Sequence, residues 1–184
     1  MTVGPGRADP GIAGSPQLET HRLGDDGPFP NNEALPLLVY AGAFRLPERE
    51  PAAAIETVFE ANAWPPAWRF GVFGFHHYHS TAHEALGVFA GHARLLFGGP
   101  RGVAITAVPG DVILIPAGVA HKCLDSSGFR VVGAYPAGQD FDMNRGETGE
   151  RPAADANIAR VPLPRADPVF GANGPLFDHW QGNA

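Results

Sequence analysis

Cysteine is almost missing from this chain: Cys123 is the only one in 184 residues. A single thiol rules out an internal disulfide and any cysteine cluster for zinc. Such sparing use fits a reducing compartment, so the expected location is the cytoplasm. Basic residues are also few, with 13 Lys and Arg against 19 Asp and Glu and a net charge of −6. They form no block, and phosphate recognition needs clustered Lys and Arg, so nucleic acid is not expected as a partner. Long apolar runs are lacking too. The run Val112 to Ile115 in the middle of the chain falls far short of the roughly 20 residues that span a bilayer, so no membrane is expected. The opening MTVGPGRADPGIAGSP has no apolar centre of the kind a signal peptide carries. There is no internal repeat, no phosphate-binding glycine loop and no Ser-His-Asp grouping.

What is abundant is turn chemistry. Twenty-four glycines and 19 prolines punctuate short apolar runs, a pattern of many turns and short strands. The length favours one domain with tails and suffices for a core without disulfide staples. Residues 1–17 read as a flexible arm, because they carry no apolar period. Residues 18–136 read as a single barrel domain. An apolar run from Leu35 to Phe44 suits a buried strand. Residues 51–62, PAAAIETVFEAN, predict a helix, with Pro51 in its first turn and Ile55, Val58 and Phe59 at helical spacing. Strands are expected near 69–79, 83–90, 92–97, 103–108, 111–116, 119–124 and 129–135. Regular short strands without intervening helices indicate an antiparallel sandwich or barrel. Residues 137–184 form an extension with one short helix near 153–160. Its Val169, Phe170, Leu176, Phe177 and Trp180 are too apolar for a free solvated segment.

Histidine is concentrated in one place. Five of the eight histidines lie in or one residue beyond GVFGFHHYHSTAHEALGVFAG, residues 71–91. In a strand, side chains alternate faces, so His77 and His79 point the same way and His76 points oppositely. After a turn at Ser80-Thr81-Ala82, Glu84 opens a returning strand. Two imidazoles and a carboxylate can then converge, and His121, beyond Pro116-Ala117-Gly118, can supply a fourth ligand. His83 has two readings, packing on the far face or ligation in place of Glu84. A mixed set of imidazole and carboxylate suits a divalent transition metal and not Ca²⁺ or Mg²⁺.

These stretches resemble the cupin family. Its first pattern is glycine, five residues, His-x-His, three or four residues, Glu, six residues, glycine; here it is Gly71, His77, His79, Glu84 and Gly91. Its second is glycine, five residues, Pro-x-Gly, two residues, His, three residues, Asn; here it is Gly110, Pro116, Gly118 and His121, with Asp125 in the Asn position. Nine of the ten positions match at the right spacing. The resemblance implies an all-β fold, a double-stranded β-helix or jelly-roll barrel, with one or two short flanking helices. It also implies ligation of one metal (Fe, Mn, Ni or Zn) by His77, His79, Glu84 and His121. FHHYHSTAHEALGV, PAGVAHKCL and VVGAYPAGQD are further similar to a group of small bacterial cupins of unestablished function.

The expected function is that of a metal-dependent enzyme of oxygenase, isomerase or decarboxylase type, acting on a small polar or carboxylate-bearing molecule. The alternative is a non-catalytic cupin that binds or senses a small ligand. Phe73 and Phe75 share the face of His77, which suits a pocket wall or plain core packing. Cys123 shares the face of His121, as pocket residue or small buried apolar residue. Tyr135 closes a strand and can place its hydroxyl in the barrel. Arg69 falls on the alternation of His77, with the surface as its favoured place. Exposed sheet edges and the apolar segment 35–44 favour a homodimer.

Overall fold

The computed structural model describes residues 14–181. Seven strands form one antiparallel sheet: β1 (Gln17–Leu23), β2 (Asn32–Ala41), β3 (Pro66–Phe70), β4 (Glu84–Phe97), β5 (Val103–Ala107), β6 (Val112–Ile115) and β7 (His121–Ala134). Their order is β1-β2-β6-β4-β7-β3, with β5 on the far half of β4. The sheet rolls up as a jelly-roll barrel, and its mouth is drawn together by paired bonds between the backbones of His77 and His121. Three short helices flank it: α1 (Pro51–Ala61), α2 (Ala153–Ile158) and α3 (Leu176–His179).

The sheet has two apolar faces and hence two cores. Leu37, Val39, Leu86, Val88, Leu95, Phe97, Ile113, Ile115 and Val131 fill the inside of the roll. Leu38, Tyr40, Ala85, Val112, Leu114, Val132 and Ala134 face outward and are covered by α1 and the C-terminal segment. Strand alternation alone explains this split, because even and odd positions of one strand serve different cores. α1 contributes Ile55, Val58 and Phe59, each worth roughly 1.5–3 kcal/mol on full burial. It packs so closely on β4 that a Cβ at Gly87 would stand 2.6 Å from Ile55 Cγ2. Pro65, after the helix, keeps Trp64 out of helical conformation.

Several expected boundaries differ. The stretches 83–90 and 92–97 are one strand, bent where the pairing of β4 with β7 shifts register on both sides of Ala90. Gly91 makes that bulge with φ 64° and lies so near Gly128 that a Cβ would collide with its backbone. The bulge flips the alternation: Leu86 and Val88 point inward before it, Ala93, Leu95 and Phe97 after it. Likewise 119–124 and 129–135 are the two ends of β7. The strand expected over 69–79 stops at Phe70, and residues 71–83 hold only isolated bridges from His77 and Tyr78. β1 begins at residue 17, the last residue of the expected arm; the rest of that arm is outside the described residues apart from 14–16. As an exposed edge strand, β1 has no apolar alternation to betray it. Residues 35–41 of the apolar segment 35–44 lie in β2, between β1 and β6, and most of the segment is buried within the chain.

Candidate metal centre

Each possible ligand is placed by backbone that the sequence makes specific. Glu84 is the first residue of β4, paired with Ile115, and alternation puts it on the inward face with Leu86 and Val88. His121 is the first residue of β7. Before it, Gly118 turns with φ 93°, and its N–H donates to the His79 carbonyl at 2.8 Å. The Pro-x-Gly turn therefore grips the His-x-His segment directly. His77 and His121 exchange backbone hydrogen bonds of 3.1 and 2.9 Å, which sets their rings 4.1 Å apart. The His79 ring lies 5.7 Å from that of His77 and 5.9 Å from that of His121. All three are buried, and one nitrogen from each falls within 4.8 Å of the others.

The other nitrogens are committed. Nδ1 of His77 meets the Phe75 carbonyl at 3.3 Å, Nδ1 of His121 meets the Val119 carbonyl at 3.1 Å, and Nδ1 of His79 meets the Asp142 carbonyl. A carbonyl only accepts, so in the neutral ring each Nδ1 carries the proton and each Nε2 keeps its lone pair. Nε2 of His79 is 3.6 Å from Oε1 of Glu84, and Nε2 of His121 is 3.2 Å from Oε2. Beyond that contact with His121, Oε2 of buried Glu84 has no hydrogen-bond partner among the described residues. Three lone pairs around an unsatisfied buried carboxylate oxygen are a donor set for a cation. A buried polar atom otherwise finds a partner.

Electrostatics follow from burial and from the carboxylate. Burial pushes His77 down to about 3, helped by the neighbouring His121. Burial also opposes charge on His79, but the Glu84 carboxylate outweighs it and raises His79 above the ordinary value. Burial alone would lift Glu84; His79 and His121 hold it below the usual carboxylate range. Burial and the Glu84 charge raise Tyr135, whose hydroxyl donates to Oε1 of Glu84 at 2.9 Å. The Trp68 indole N–H in turn donates to that hydroxyl at 3.1 Å.

A cavity of about 370 Å³ opens above these groups. Phe73 and Tyr135 are on its wall, as are His77, His79, Glu84 and His121. Phe75 is not; it stacks behind Phe73 at 4.9 Å, with the Arg145 guanidinium 4.3 Å over its ring. Cys123 is not on the wall either, and its thiol reaches the Asp125 carbonyl at 3.3 Å. Arg69 borders the mouth but is exposed and held by both oxygens of Glu56. His83 points away from the site. Its Nδ1 accepts the Ala117 N–H and its ring lies 4.7 Å from Trp180. His76 packs on Phe29 at 5.0 Å, and His92 is exposed.

Sequence reasoning did not reach Phe141, Asp142 and Met143. Phe141 and Met143 line the cavity, while Asp142 holds His79 through its carbonyl and Ser80 through its carboxylate. They come from the extension after β7, and no local spacing connects them to residues 60 positions earlier. The extension then returns over the outer core. Trp180 donates to the Pro36 carbonyl, Trp64 to the Ala166 carbonyl and Tyr40 to buried Asp167.

No family model matches the chain. The uncharacterized protein YjlB of Bacillus subtilis (strain 168) is 39% identical over 165 residues, covering 89% of this chain and 97% of that protein. Similar solved structures include procruciferin, an 11S globulin from Brassica napus, at 13% identity and a TM-score of 0.34; the match covers 76% of this chain and 29% of that one. The epimerase RmlC from Legionella pneumophila matches at 16% identity and a TM-score of 0.32, over 68% of this chain and 74% of its own. The ribosomal oxygenase YcfD from Escherichia coli matches at 18% identity and a TM-score of 0.29, over 53% of this chain and 31% of its own. These three likenesses are too distant to bear on the site. No helix among the described residues is long and apolar enough to cross a membrane.

Proposed function

The chain belongs to the family of YjlB, and we propose that it is a cupin-type metalloprotein that binds one divalent transition metal and acts as an enzyme on a small molecule. His77, His79 and His121 would hold the metal through Nε2, and Glu84 through its carboxylate. One observation carries the reading: all three Nδ1 atoms face main-chain carbonyls, while a buried oxygen of Glu84 turned to His121 lacks a hydrogen bond among the described residues. Three nitrogens and one carboxylate suit Fe, Mn, Co, Ni or Zn. Such a metal supplies Lewis-acid activation, or a place for a chelating substrate or O₂.

The chain's own groups do the rest. The carbonyls of Phe75, Asp142 and Val119 fix ring orientation and tautomer. Tyr135 holds the oxygen of Glu84 that faces His79 and leaves the other turned to His121. The apolar wall keeps bulk water from the floor of the cavity, which strengthens every electrostatic contact there.

The test is elemental analysis of protein purified without chelators or a nickel column, beside a His77→Ala, His121→Ala variant. The expected result is about one equivalent of metal per chain, lost in the variant. Turnover of the loaded protein, followed as oxygen consumption and as product from a substrate panel, separates an enzyme from a binding or sensing protein. Absence of metal in both proteins, after reloading under reducing conditions, would overturn the reading.

A further inference from the structure

Eight large apolar side chains are exposed among the described residues, and four of them, Phe70, Phe73, Phe141 and Met143, border the cavity. Soluble chains scatter such residues singly; a contiguous group marks a binding surface. Here the group is aromatic on two sides. Phe73 is 6.1 Å from Phe70 and stacks on Phe75 on one side. Phe141 stacks on Tyr135 at 4.4 Å, edge-on to His79 at 5.2 Å. The exposed rim runs without a break into the buried floor. That continuity indicates a ligand that enters the cavity.

Apart from the three Nε2 atoms and Oε2 of Glu84, which the metal reading assigns to the cation, the polar side-chain groups of the wall are used by one another, by main-chain carbonyls or by Glu56. Trp68 donates to Tyr135, Tyr135 donates to Glu84, and the three Nδ1–H groups serve main-chain carbonyls. Arg69, the one Arg or Lys among the described residues of the wall, is bound by Nε and Nη2 to the Glu56 carboxylate at 2.5 and 2.6 Å. A polyol or a dicarboxylate would bring several polar groups and find few free partners. Each one left unsatisfied costs about 1–3 kcal/mol. A flat apolar body incurs no such cost and stacks on the aromatic walls. A volume of about 370 Å³ stands at the small end of the roughly 300–1,000 Å³ usual for small-molecule pockets.

We propose that the ligand of this site is a small aromatic or similarly flat apolar molecule with one oxygen donor, such as a phenol or an enol. This departs from the polar or carboxylate-bearing class expected from sequence. The role of the oxygen rests on the metal reading above; the fit of the ring to the walls does not.

The experiment is calorimetric titration of 2-naphthol, malonate and sorbitol into the full chain, with and without metal. 2-Naphthol is expected to bind both forms, more tightly with metal, and to bind better than the other two. A Phe73→Asn, Phe141→Asn variant should bind it at least about tenfold more weakly, because two stacking walls are lost. Leu124→Asn, an exposed apolar position off the wall, should bind it as the parent does. Binding of 2-naphthol to a protein that takes up no metal would sink the metal reading and leave this one standing. Tighter binding of malonate or sorbitol, or no binding of 2-naphthol, would overturn it. So would a rim variant with unchanged naphthol affinity but altered sedimentation, which would mean that the rim covers a second copy of the chain.

Discussion

Tyr135 donates its hydroxyl to Oε1 of Glu84 at 2.9 Å, 51 residues away in the chain. The bond crosses from the end of β7 to the start of β4, neighbours in the sheet. It occupies the carboxylate oxygen that faces His79 and leaves the other turned to His121.

Tyr135→Phe should therefore free Glu84 to turn while leaving the barrel intact. Partners that orient a metal ligand are typically worth 10–100-fold in affinity. The expected outcome is about a tenfold loss of metal affinity, measured by competition with a chromophoric chelator, with an unchanged far-ultraviolet spectrum. Unaltered affinity would mean that Glu84 is held by its strand alone.

The second prediction concerns acid. Burial pushes Glu150 up, but the N–H groups of Arg145 and Gly146 and the Tyr78 hydroxyl outweigh it, so its folded value lies below 4.5. A group lowered on folding adds stability that is full above its unfolded value and lost as the pH falls through its folded one. The melting temperatures of the parent and Glu150→Gln should differ at neutral pH and converge well below about pH 4.5. A difference that persists into strong acid would assign the loss to packing around Tyr78.

Asp167 supplies the third. It is fully buried, and its carboxylate accepts from the Tyr40 hydroxyl at 2.7 Å and from the N–H groups of Val169, Phe170 and Leu176. Asp167→Ala strands those donors, and losing several buried bonds to one charge costs on the order of 3–5 kcal/mol. Denaturant unfolding should register that loss, and proteolysis should cleave the segment 160–181 first. A loss below about 1 kcal/mol would mean that the aromatic contacts alone hold the segment.

How much of this was legible in the sequence depends on range. The spacing of His77, His79, Glu84, Pro116, Gly118 and His121 was readable because a short motif and a glycine turn act over a few residues, although His77 and His79 lie in a segment with isolated bridges and not in the strand expected there. The buried helix over Pro51–Ala61 announced itself in the same way, by apolar positions three and four apart. β1 did not, because an exposed edge strand needs no apolar face. The bulge at Gly91 did not, because its cause is the approach of Gly128 from another strand.

The sequence by itself determined the all-β class, the gathering of histidines and the place of the turn that grips them. Only the tertiary structure decided which nitrogen of each imidazole is free, since the carbonyls of Phe75, Val119 and Asp142 settle that. It also decided that Phe141 and Met143 wall the cavity while Phe75 and Cys123 do not. The physical reason is the same in each case. Alternation and turn preference are properties of neighbours along the chain, whereas tautomers, cavity walls and carboxylate partners are set by residues brought near only when the sheet rolls up.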